Sequence, residues 1–447
     1  MLNRFKITLL LLVAAWSSLL AKGIVLPDSG VLTPETTTIT EVKRIRQVAG
    51  FSAITGSNAV PLNFASRFAT GGYIPPSDIQ EYEGLLADQN RLGLFTDYHM
   101  AIYPIPELID NDNVNALKQI EVGVQNLAGA TFTKDAFGLI FRGNAPYIGT
   151  LKEAGENSFY QLSQRYLRFS FEPKSWSEGK FAKRIGVQFS QALNFNRGYT
   201  KGLSVNTDSN IDSVLISGSY YSQGTGYQFG GTGWGLQLNA DFYYKLGNSK
   251  YAYLSVENFG FISLNNVSTI SRGFQWDNTN LNPVGDVPTS DVNIQSVGLS
   301  GAELKVSNWF DRQRDSIESK LGMTEVSQRG NIWTPFHINI GFTSRKYDGK
   351  EKGYLIRIQY INVPGFLPRI SGSYVWNPIR NLVFKPGISF GGFDVFDINT
   401  TFSLPTFSLG GGSVFVDGFI NGIESFIAPN KYHGGGIGLQ ISYPFSS

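Results

Sequence analysis

Three histidines and no cysteine limit the chemistry that this sequence could perform. The absence of cysteine removes a disulfide framework, thiolate metal ligands and a cysteine nucleophile. His99, His337 and His433 are far apart in the chain, and nothing in their spacing brings one of them to a particular serine and carboxylate. We therefore predict no catalytic residues, no metal site and no enzyme activity.

Two kinds of loop-like stretch were candidates for cofactor or ion binding. The run Gly230-Gly231-Thr232-Gly233 lacks the Lys-Ser/Thr ending of a phosphate-binding loop. The Asx-rich runs at 110–113 and 277–280 lack the glycine and the glutamate that a calcium loop needs at fixed positions. We predict no cofactor, and these stretches are expected to be solvated loops.

Four charged residues are more informative because each lies in a segment of alternating polar and apolar residues. Arg168, Asp241, Glu257 and Arg357 all fall on the polar side of such a segment. Their environment therefore depends on what covers each side of the sheet that these segments form. Pairing with one another, contact with an N-terminal plug and lining of a solute path are all open to them.

The composition narrows the class of protein. Of 447 residues only 16% are charged, against about 25% in typical soluble domains, whereas 42% are hydrophobic and 14% aromatic. The formal net charge of +2 argues against a basic nucleic-acid surface. With 50 glycines and no interior run of about 20 apolar residues, the chain favours β structure over transmembrane helices.

The first 21 residues have the pattern of a secretory signal peptide. Arg4 and Lys6 precede the apolar run from Ile7 to Leu20, and Ala21 supplies a small residue at a plausible cleavage point. An uncleaved anchor helix is the alternative, but the run is short for a membrane span. We predict that residues 1–21 direct export.

The main part of the chain has a period of two. From Leu236 to Tyr244, apolar residues alternate with Gln237, Asn239 and Asp241, and similar segments recur to the C-terminus. The polar side is Gly, Ser, Asn, Gln and Thr rather than the Lys and Glu of a solvated sandwich surface. Such a pattern is typical of a transmembrane barrel with lipid outside and a polar lumen inside.

We therefore predict an all-β fold: a closed antiparallel transmembrane β-barrel of about 14 strands, within a range of 12–16. Residues 116–447 are expected to form the barrel, with a strand at 135–143, and Arg168, Asp241, Glu257 and Arg357 then face the lumen. Residues 22–115 are expected to form an N-terminal segment and candidate lumen plug, which belongs to a single domain with the barrel.

A helix is predicted from Ser77 and another over 301–322. The plug aromatics that could contact a hydrophobic cargo are Phe64, Phe68 and Tyr73.

The C-terminal segment resembles the strand by which outer-membrane barrels are handed to their assembly machinery. Gly438, Ile441, Tyr443 and Phe445 have the expected glycine-then-alternating spacing, although Pro444 interrupts the strand. The predicted partners are outer-membrane lipid, the barrel assembly machinery and other envelope or secretion proteins, and the predicted location is the cell outer membrane.

Several segments resemble a family of outer-membrane barrels of unassigned function from bacteria that use type IX secretion. The matching elements are Leu139 to Asn144, the hairpin of Leu236 to Leu246 and Tyr251 to Ser263, and the closing strand Gly436 to Phe445. The family is related to fatty-acid-transporter-like (FadL-like and PorV-like) barrels, some of which are accessory proteins in type IX secretion. The resemblance implies the barrel more firmly than any activity.

Three functions remain open at this stage. The first is an integral outer-membrane barrel for passive passage of a hydrophobic or small solute. The alternative is a non-enzymatic accessory component of a type IX secretion or surface-assembly complex, with a blocked lumen and a partner-binding surface near residues 300–336. The remote alternative is a secreted soluble β-rich adhesin.

Overall fold

The structure is a computed structural model of the chain. It describes residues 44–64, 75–103, 117–142, 145–171, 181–209, 214–247, 250–277, 326–344, 353–379, 382–409, 412–429 and 432–446. The expectations for residues 1–21 and for a helix over 301–322 lie outside these ranges.

Strands dominate the described residues, and three α-helices lie wholly within those ranges. The helices are α1 (Pro76–Leu85), α2 (Lys134–Arg142) and α3 (Ile423–Ile427). No helix among the described residues is long and apolar enough to cross a membrane. The strands are β1 (Arg44–Ser57), β2 (Gln89–Tyr103), β3 (Leu117–Thr133), β4 (Leu151–Phe171), β5 (Phe181–Thr207), β6 (Val214–Gly224), β7 (Gly233–Gly247), β8 (Lys250–Asp277), β9 (Val326–Trp333), β10 (His337–Ser344), β11 (Gly353–Ile361), β12 (Leu367–Ile379), β13 (Leu382–Gly392), β14 (Phe396–Leu409), β15 (Gly412–Asn421) and β16 (Gly435–Ser446).

The strands close into one antiparallel ring. Starting at β1, the ring runs β2, β3, β4, β5, β7, β8, β10 and then in chain order to β16. It closes where β16 pairs with β1, from Arg44 opposite Ser446 to Thr55 opposite Gly435. The result is a closed barrel of 14 strands, which confirms the predicted fold class and strand number.

Two positions in the wall are each filled by two strands placed end to end. The first half of β5 (Phe181–Ala192) pairs with β7, and its second half (Asn196–Thr207) pairs with β6; we call the end of the barrel near Phe181 the lower end and the end near Thr207 the upper end. Strand β8 pairs with the same two strands from the other side. In the same way, β9 and β10 pair successively with β8 and are separated by residues 334–336. The wall from β4 to β9 therefore rises above the wall from β10 to β14, which ends in short turns at 362–366 and 393–395.

The alternation in the sequence corresponds to the two faces of the wall. On β7, Trp234, Leu236, Leu238 and Tyr244 are exposed, whereas Gln237 is fully buried. Trp234 to Tyr244 span about 33 Å along the strand and about 25 Å along the axis at a tilt of ~40°, the height of an apolar band in a transmembrane barrel. Exposed apolar side chains continue around the barrel at Met100, Val122, Phe189, Phe261, Trp333, Ile340, Ile356, Ile370, Trp376, Ile388 and Phe390.

The predicted division at residue 116 is wrong, because the barrel begins at β1 and includes β2. Both strands lie within the segment that had been assigned to a plug. What remains of that assignment in the described residues is the long connection from β1 to β2, which carries α1 and lies at the upper end of the barrel. The helix predicted from Ser77 is confirmed as α1.

The strand predicted at 135–143 is also wrong, since residues 134–142 form α2. The Thr133 hydroxyl accepts a hydrogen bond from the Ala136 backbone N–H (3.1 Å) and so acts as an N-cap. Phe137 and Phe141, one helical turn apart, pack with ring centroids 4.5 Å apart. The short apolar run from Ala136 to Phe141 is compatible with either a strand or a helix, so the sequence pattern did not distinguish the two.

Barrel closure can be tested with engineered cysteines because the chain has none of its own. Ala49 is directly opposite Ile441, so Ala49→Cys with Ile441→Cys should form a disulfide under mild oxidation. The circularised chain will then migrate anomalously on a denaturing gel after boiling. Ala49→Cys with Leu439→Cys is the control, because that diagonal pair lies about 7–8 Å apart and should remain reduced. Equal cross-linking of both pairs would contradict the register.

Candidate functional site

The barrel lumen is the candidate site, and its lower part contains a network of ionisable side chains. Glu121 on β3 accepts hydrogen bonds from the Tyr166 hydroxyl (2.7 Å) and from Gln119 Nε2 (2.7 Å). Its Oε1 lies 3.5 Å from Arg168 Nη1. Tyr166 also reaches Asp97 (3.2 Å), whose other oxygen lies 3.0 Å from His99 Nδ1. The charges are thus paired across β2, β3 and β4.

A layer of amides lies next to this network. Gln188 donates to Gln237 (2.5 Å), Gln237 donates to Gln164 (2.9 Å), and Gln164 donates to Gln125 (3.0 Å). Asn258 Nδ2 on β8 donates to the same Gln125 oxygen on β3 (3.2 Å). Because β3 and β8 are separated by three strands of the ring, this bond crosses the lumen.

Apolar side chains take over in the upper part of the lumen. One buried cluster is formed by Phe95, Leu127, Ile361, Val363, Phe366 and Phe393. A second is formed by Leu162, Ala192, Phe195, Ile262, Leu264, Val267 and Ile332. Tyr160 packs against both clusters, so they form a continuous apolar region. The lumen therefore changes from polar to apolar along its axis.

Opposite walls contact each other within the apolar part. The rings of Phe95 on β2 and His337 on β10 lie 5.6 Å apart, although these strands are nearly opposite in the ring. The turn at 362–366 also reaches the far wall: a Cβ placed on Gly129 of β3 would lie 2.4 Å from the Pro364 carbonyl oxygen. A glycine is required at this point because the turn backbone rests directly on the strand.

The second short turn, at 393–395, is held by polar contacts that we call the turn latch: Arg91, Asp394 and Ser57. Arg91 donates from Nε to the Phe393 carbonyl (2.9 Å) and from Nη2 to the Asp394 carbonyl (2.8 Å). The Ser57 backbone N–H donates to Asp394 Oδ1 (2.8 Å). The Phe393 ring lies over Gly93, with Cε2 2.0 Å from where a Cβ would stand. The latch thus folds the turn inward over the apolar part of the lumen.

The latch carboxyl has an unusual acidity. Burial raises the pKa of Asp394 well above its ordinary value, the nearby Asp397 raises it further, and the Ser57 N–H lowers it. Arg369 forms an ion pair with Asp397 (2.9 Å), so the second carboxylate is compensated locally. The turn is therefore held by hydrogen bonds to backbone carbonyls and to a carboxyl that retains its proton to higher pH.

The connections from β1 to β2 and from β3 to β4 form a cap at the same end of the barrel. Glu83 on α1 accepts hydrogen bonds from Arg142 Nη1 (2.7 Å) and from the Tyr147 hydroxyl (2.7 Å). Burial and the bond to Glu83 raise the pKa of Tyr147 above its ordinary value. The helices also share a buried apolar cluster of Ala59, Val60, Phe64, Ile79, Tyr82, Leu86 and Phe137.

The four charged residues singled out from the sequence all lie on the wall face opposite the exposed apolar side chains. Arg168 belongs to the ionisable network and also donates to Gln188 (2.9 Å). Glu257 accepts from Ser255 (3.3 Å). Asp241 lies beside Arg184 in the β5–β7 register, and Arg357 lies beside Gly341 of β10. The structure thus distributes them over β4, β7, β8 and β11.

Of the three aromatics assigned to a plug, Phe64 is the one within the described residues. It is buried in the cap, 5.2 Å from the Tyr82 ring centroid. Phe68 and Tyr73 lie outside the described residues. The C-terminal residues Gly438, Ile441, Tyr443 and Phe445 all lie on β16, and Pro444 is beyond the point where β15 stops pairing with it.

Sequence reasoning missed both the turn latch and the amide layer. The latch joins residues about 300 positions apart, so no local pattern marks it. The amides had a visible signal, since Gln125, Gln164, Gln188 and Gln237 each occupy the polar side of an alternating segment. Among the described residues, no group of three carboxylate or histidine side chains could hold a metal ion.

Comparison with known proteins found similarity in solved structures alone. No family model matches the chain, and no curated protein matches it. A channel for monoaromatic hydrocarbons, a TodX mutant, is 8% identical with a TM-score of 0.42 and 96% of each chain covered. A Pseudomonas aeruginosa FadL homologue is 9% identical with a TM-score of 0.39 and 90% of each chain covered. The Pseudomonas putida toluene transporter TodX is 8% identical with a TM-score of 0.37 and 91% of each chain covered.

These similarities are too loose to carry an argument about function. The class of this protein is defined by its own strand pairing and surface: a closed 14-stranded antiparallel barrel with an apolar exterior.

The latch can be tested through the accessibility of the cluster beneath it. Leu127→Cys places a thiol among residues that are 3–9% exposed, so N-ethylmaleimide should modify it slowly in the folded barrel. Adding Arg91→Ala removes two hydrogen bonds from a charged donor, each worth about 1.5–3 kcal/mol, and should speed modification at least about tenfold. Arg197→Ala is the control, because that arginine bonds Gln223 away from the turn. Equal rates of thiol modification with and without Arg91→Ala would show that the latch does not limit access to the apolar cluster.

Proposed function

We propose that this chain is an integral outer-membrane β-barrel through which a hydrophobic or small solute passes without a cofactor. The exterior supports the location: its exposed apolar band suits hydrocarbon, and ring closure pairs the backbone groups that lipid cannot satisfy. Antiparallel barrels of this kind span the bacterial outer membrane, and the N-terminal export pattern agrees with that location.

One observation carries the proposal for the solute. A water-filled channel has a polar interior, whereas the upper lumen here contains two joined apolar clusters. The free-energy cost for a hydrophobic molecule to enter such a region is small, because its apolar contacts replace those that the cluster side chains make with one another. A hydrated ion would have to shed its water there at a large cost. The passage is therefore suited to hydrophobic compounds and poorly suited to ions.

The experiment measures transfer of a hydrophobic fluorescent dye, N-phenyl-1-naphthylamine, into cells and proteoliposomes that contain the full chain. We expect faster dye transfer than in controls without the protein, together with low ion conductance in planar bilayers. Leu127→Asn should slow dye transfer about fivefold or more, because water can hydrate the new amide and the dye must displace that water at a cost of about 1–3 kcal/mol. Phe229→Asn is the matched control, since that side chain is 79% exposed on the loop before β7.

Dye transfer equal to that of empty liposomes, with protein that still shows heat-dependent mobility on gels, would overturn the passage role. Ion conductance of porin size would contradict the apolar route. Protein recovered from the soluble fraction would instead favour the secreted adhesin.

A second candidate, the accessory role in type IX secretion or surface assembly, is favoured by the contacts between opposite walls. A scaffold does not need an open lumen, and Phe95–His337 and Asn258–Gln125 both bridge it. Strand β9, near the loop assigned to partner binding, pairs with β8 alone among the described strands. This role requires co-purification with other envelope proteins in mild detergent; isolation alone and normal secretion after deletion would count against it.

A further inference from the structure

Four buried polar atoms on neighbouring strands have no hydrogen-bond partner in the described part of the chain. They are His337 Nε2, Asn339 Oδ1, Asn239 Nδ2 and Asn258 Oδ1. The four residues are 4%, 5%, 8% and 1% exposed. Nine-tenths or more of buried polar atoms in proteins are paired, so four unpaired atoms in one region indicate that something polar belongs there.

The register places these residues together on β7, β8 and β10, and we call them the asparagine–histidine cluster. His337 is directly opposite Glu257, and Asn339 is opposite Ser255. Asn239 accepts a hydrogen bond from the Asn258 backbone N–H (2.9 Å), so β7 and β8 are joined at this level.

The backbone at Asn258 contributes to this arrangement. Its φ is 59°, a left-handed conformation that asparagine tolerates better than most residues, and the β7–β8 register shifts between Leu238 and Ala240. The bulge turns both Glu257 and Asn258 toward the lumen. Residues on either side of it return to the ordinary alternation, with Phe259 exposed on the outer face.

The cluster lies at the border between the polar and apolar parts of the lumen. The His337 ring contacts Phe95, which belongs to the apolar cluster under the turn latch. Asn258 contacts Gln125 of the amide layer on its other side. A molecule that occupies both environments must be apolar along most of its length and polar at one end.

The donors and acceptors of the cluster define that polar end. Asn239 Nδ2 donates, Asn339 Oδ1 and Asn258 Oδ1 accept, and neutral His337 can do either at Nε2. A hydroxyl or a carboxamide both donates and accepts, so it can satisfy such a mixed set. A carboxylate only accepts, and it would lie beside the carboxyl group of Glu257, which is directly opposite His337.

We infer that the asparagine–histidine cluster is a subsite for the uncharged hydrogen-bonding end of an amphipathic solute, such as a long-chain alcohol. The inference rests on the proposed passage of hydrophobic compounds and adds a polar specificity to it. The alkyl part of the solute lies among the apolar side chains above, and its hydroxyl replaces the missing partners of His337 and Asn339.

The test compares three probes of equal chain length: dodecane, 1-dodecanol and dodecanoate. Each radiolabelled probe is equilibrated with the full chain in lipid nanodiscs, and binding to empty nanodiscs is subtracted to remove partition into lipid. We expect 1-dodecanol to bind about tenfold more tightly than dodecane or dodecanoate, as two or three paired buried groups allow.

Two variants remove the polar atoms with little change of shape. His337→Phe keeps the ring against Phe95, and Asn339→Leu keeps the side-chain volume; each should reduce the preference for dodecanol severalfold and leave dodecane binding unchanged. Thr400→Val is the matched control. Its hydroxyl is also buried and unpartnered among the described residues, but it lies on β14, away from the cluster.

The wild-type measurements decide the question even if a variant fails to fold. Dodecanol binding no tighter than dodecane binding would overturn the subsite and leave the hydrophobic passage standing, with water as the occupant of the cluster. Tightest binding of dodecanoate would overturn the uncharged specificity. If no probe binds above empty nanodiscs, the proposed function itself fails.

Discussion

The pairing of β16 with β1 is the interaction on which the rest of this structure depends. It runs without a register shift from Arg44 opposite Ser446 to Thr55 opposite Gly435, and it leaves the ring with no free edge along that length. Closure fixes which side chains face outward, because a slip of one residue would exchange the two faces of a strand. The apolar exterior and the polar lower lumen both follow from this register.

Unequal wall heights then explain how the lumen is filled. The strands β4, β5 and β8 are long, whereas at the same end of the barrel β11 and β12, and β13 and β14, are joined by short turns at a lower level. A short turn cannot project far into solvent, and here Val363 and Phe393 fold inward onto β2 and β3. The apolar region above the amide layer therefore combines the turn residues Val363, Phe366 and Phe393 with side chains from within the longer strands, and Arg91 holds the second turn from the side.

The fold was predictable where the two faces of a strand have contrasting environments. On β7 the exposed side is apolar and the opposite side is polar, with Gln237 and Asn239 buried and Asp241 half-buried, so the period of two was unambiguous. On β2 the contrast is lost, because Phe95 faces an apolar cluster inside the barrel while Leu94 faces outward. Both that strand and β1 fell within residues 22–115, which were predicted from the sequence as a candidate lumen plug. Apolar packing in the lumen distinguishes this barrel from a water-filled one. On β2, that packing also removed the alternation of polar and apolar residues by which a barrel strand is recognised.

The layered lumen also determines how a hydrophobic molecule could cross it. The apolar clusters present many weak contacts, and a hydrophobic solute can replace each of them with a similar one. The amide layer below is different, because Gln125, Gln164 and Gln237 are bonded to one another and would have to exchange partners. An uncharged polar group can offer such partners, whereas an alkyl chain cannot. If hydrophobic molecules pass as proposed, a purely apolar molecule would therefore meet the greatest resistance where the apolar clusters end at the amide layer, the level at which His337 contacts Phe95.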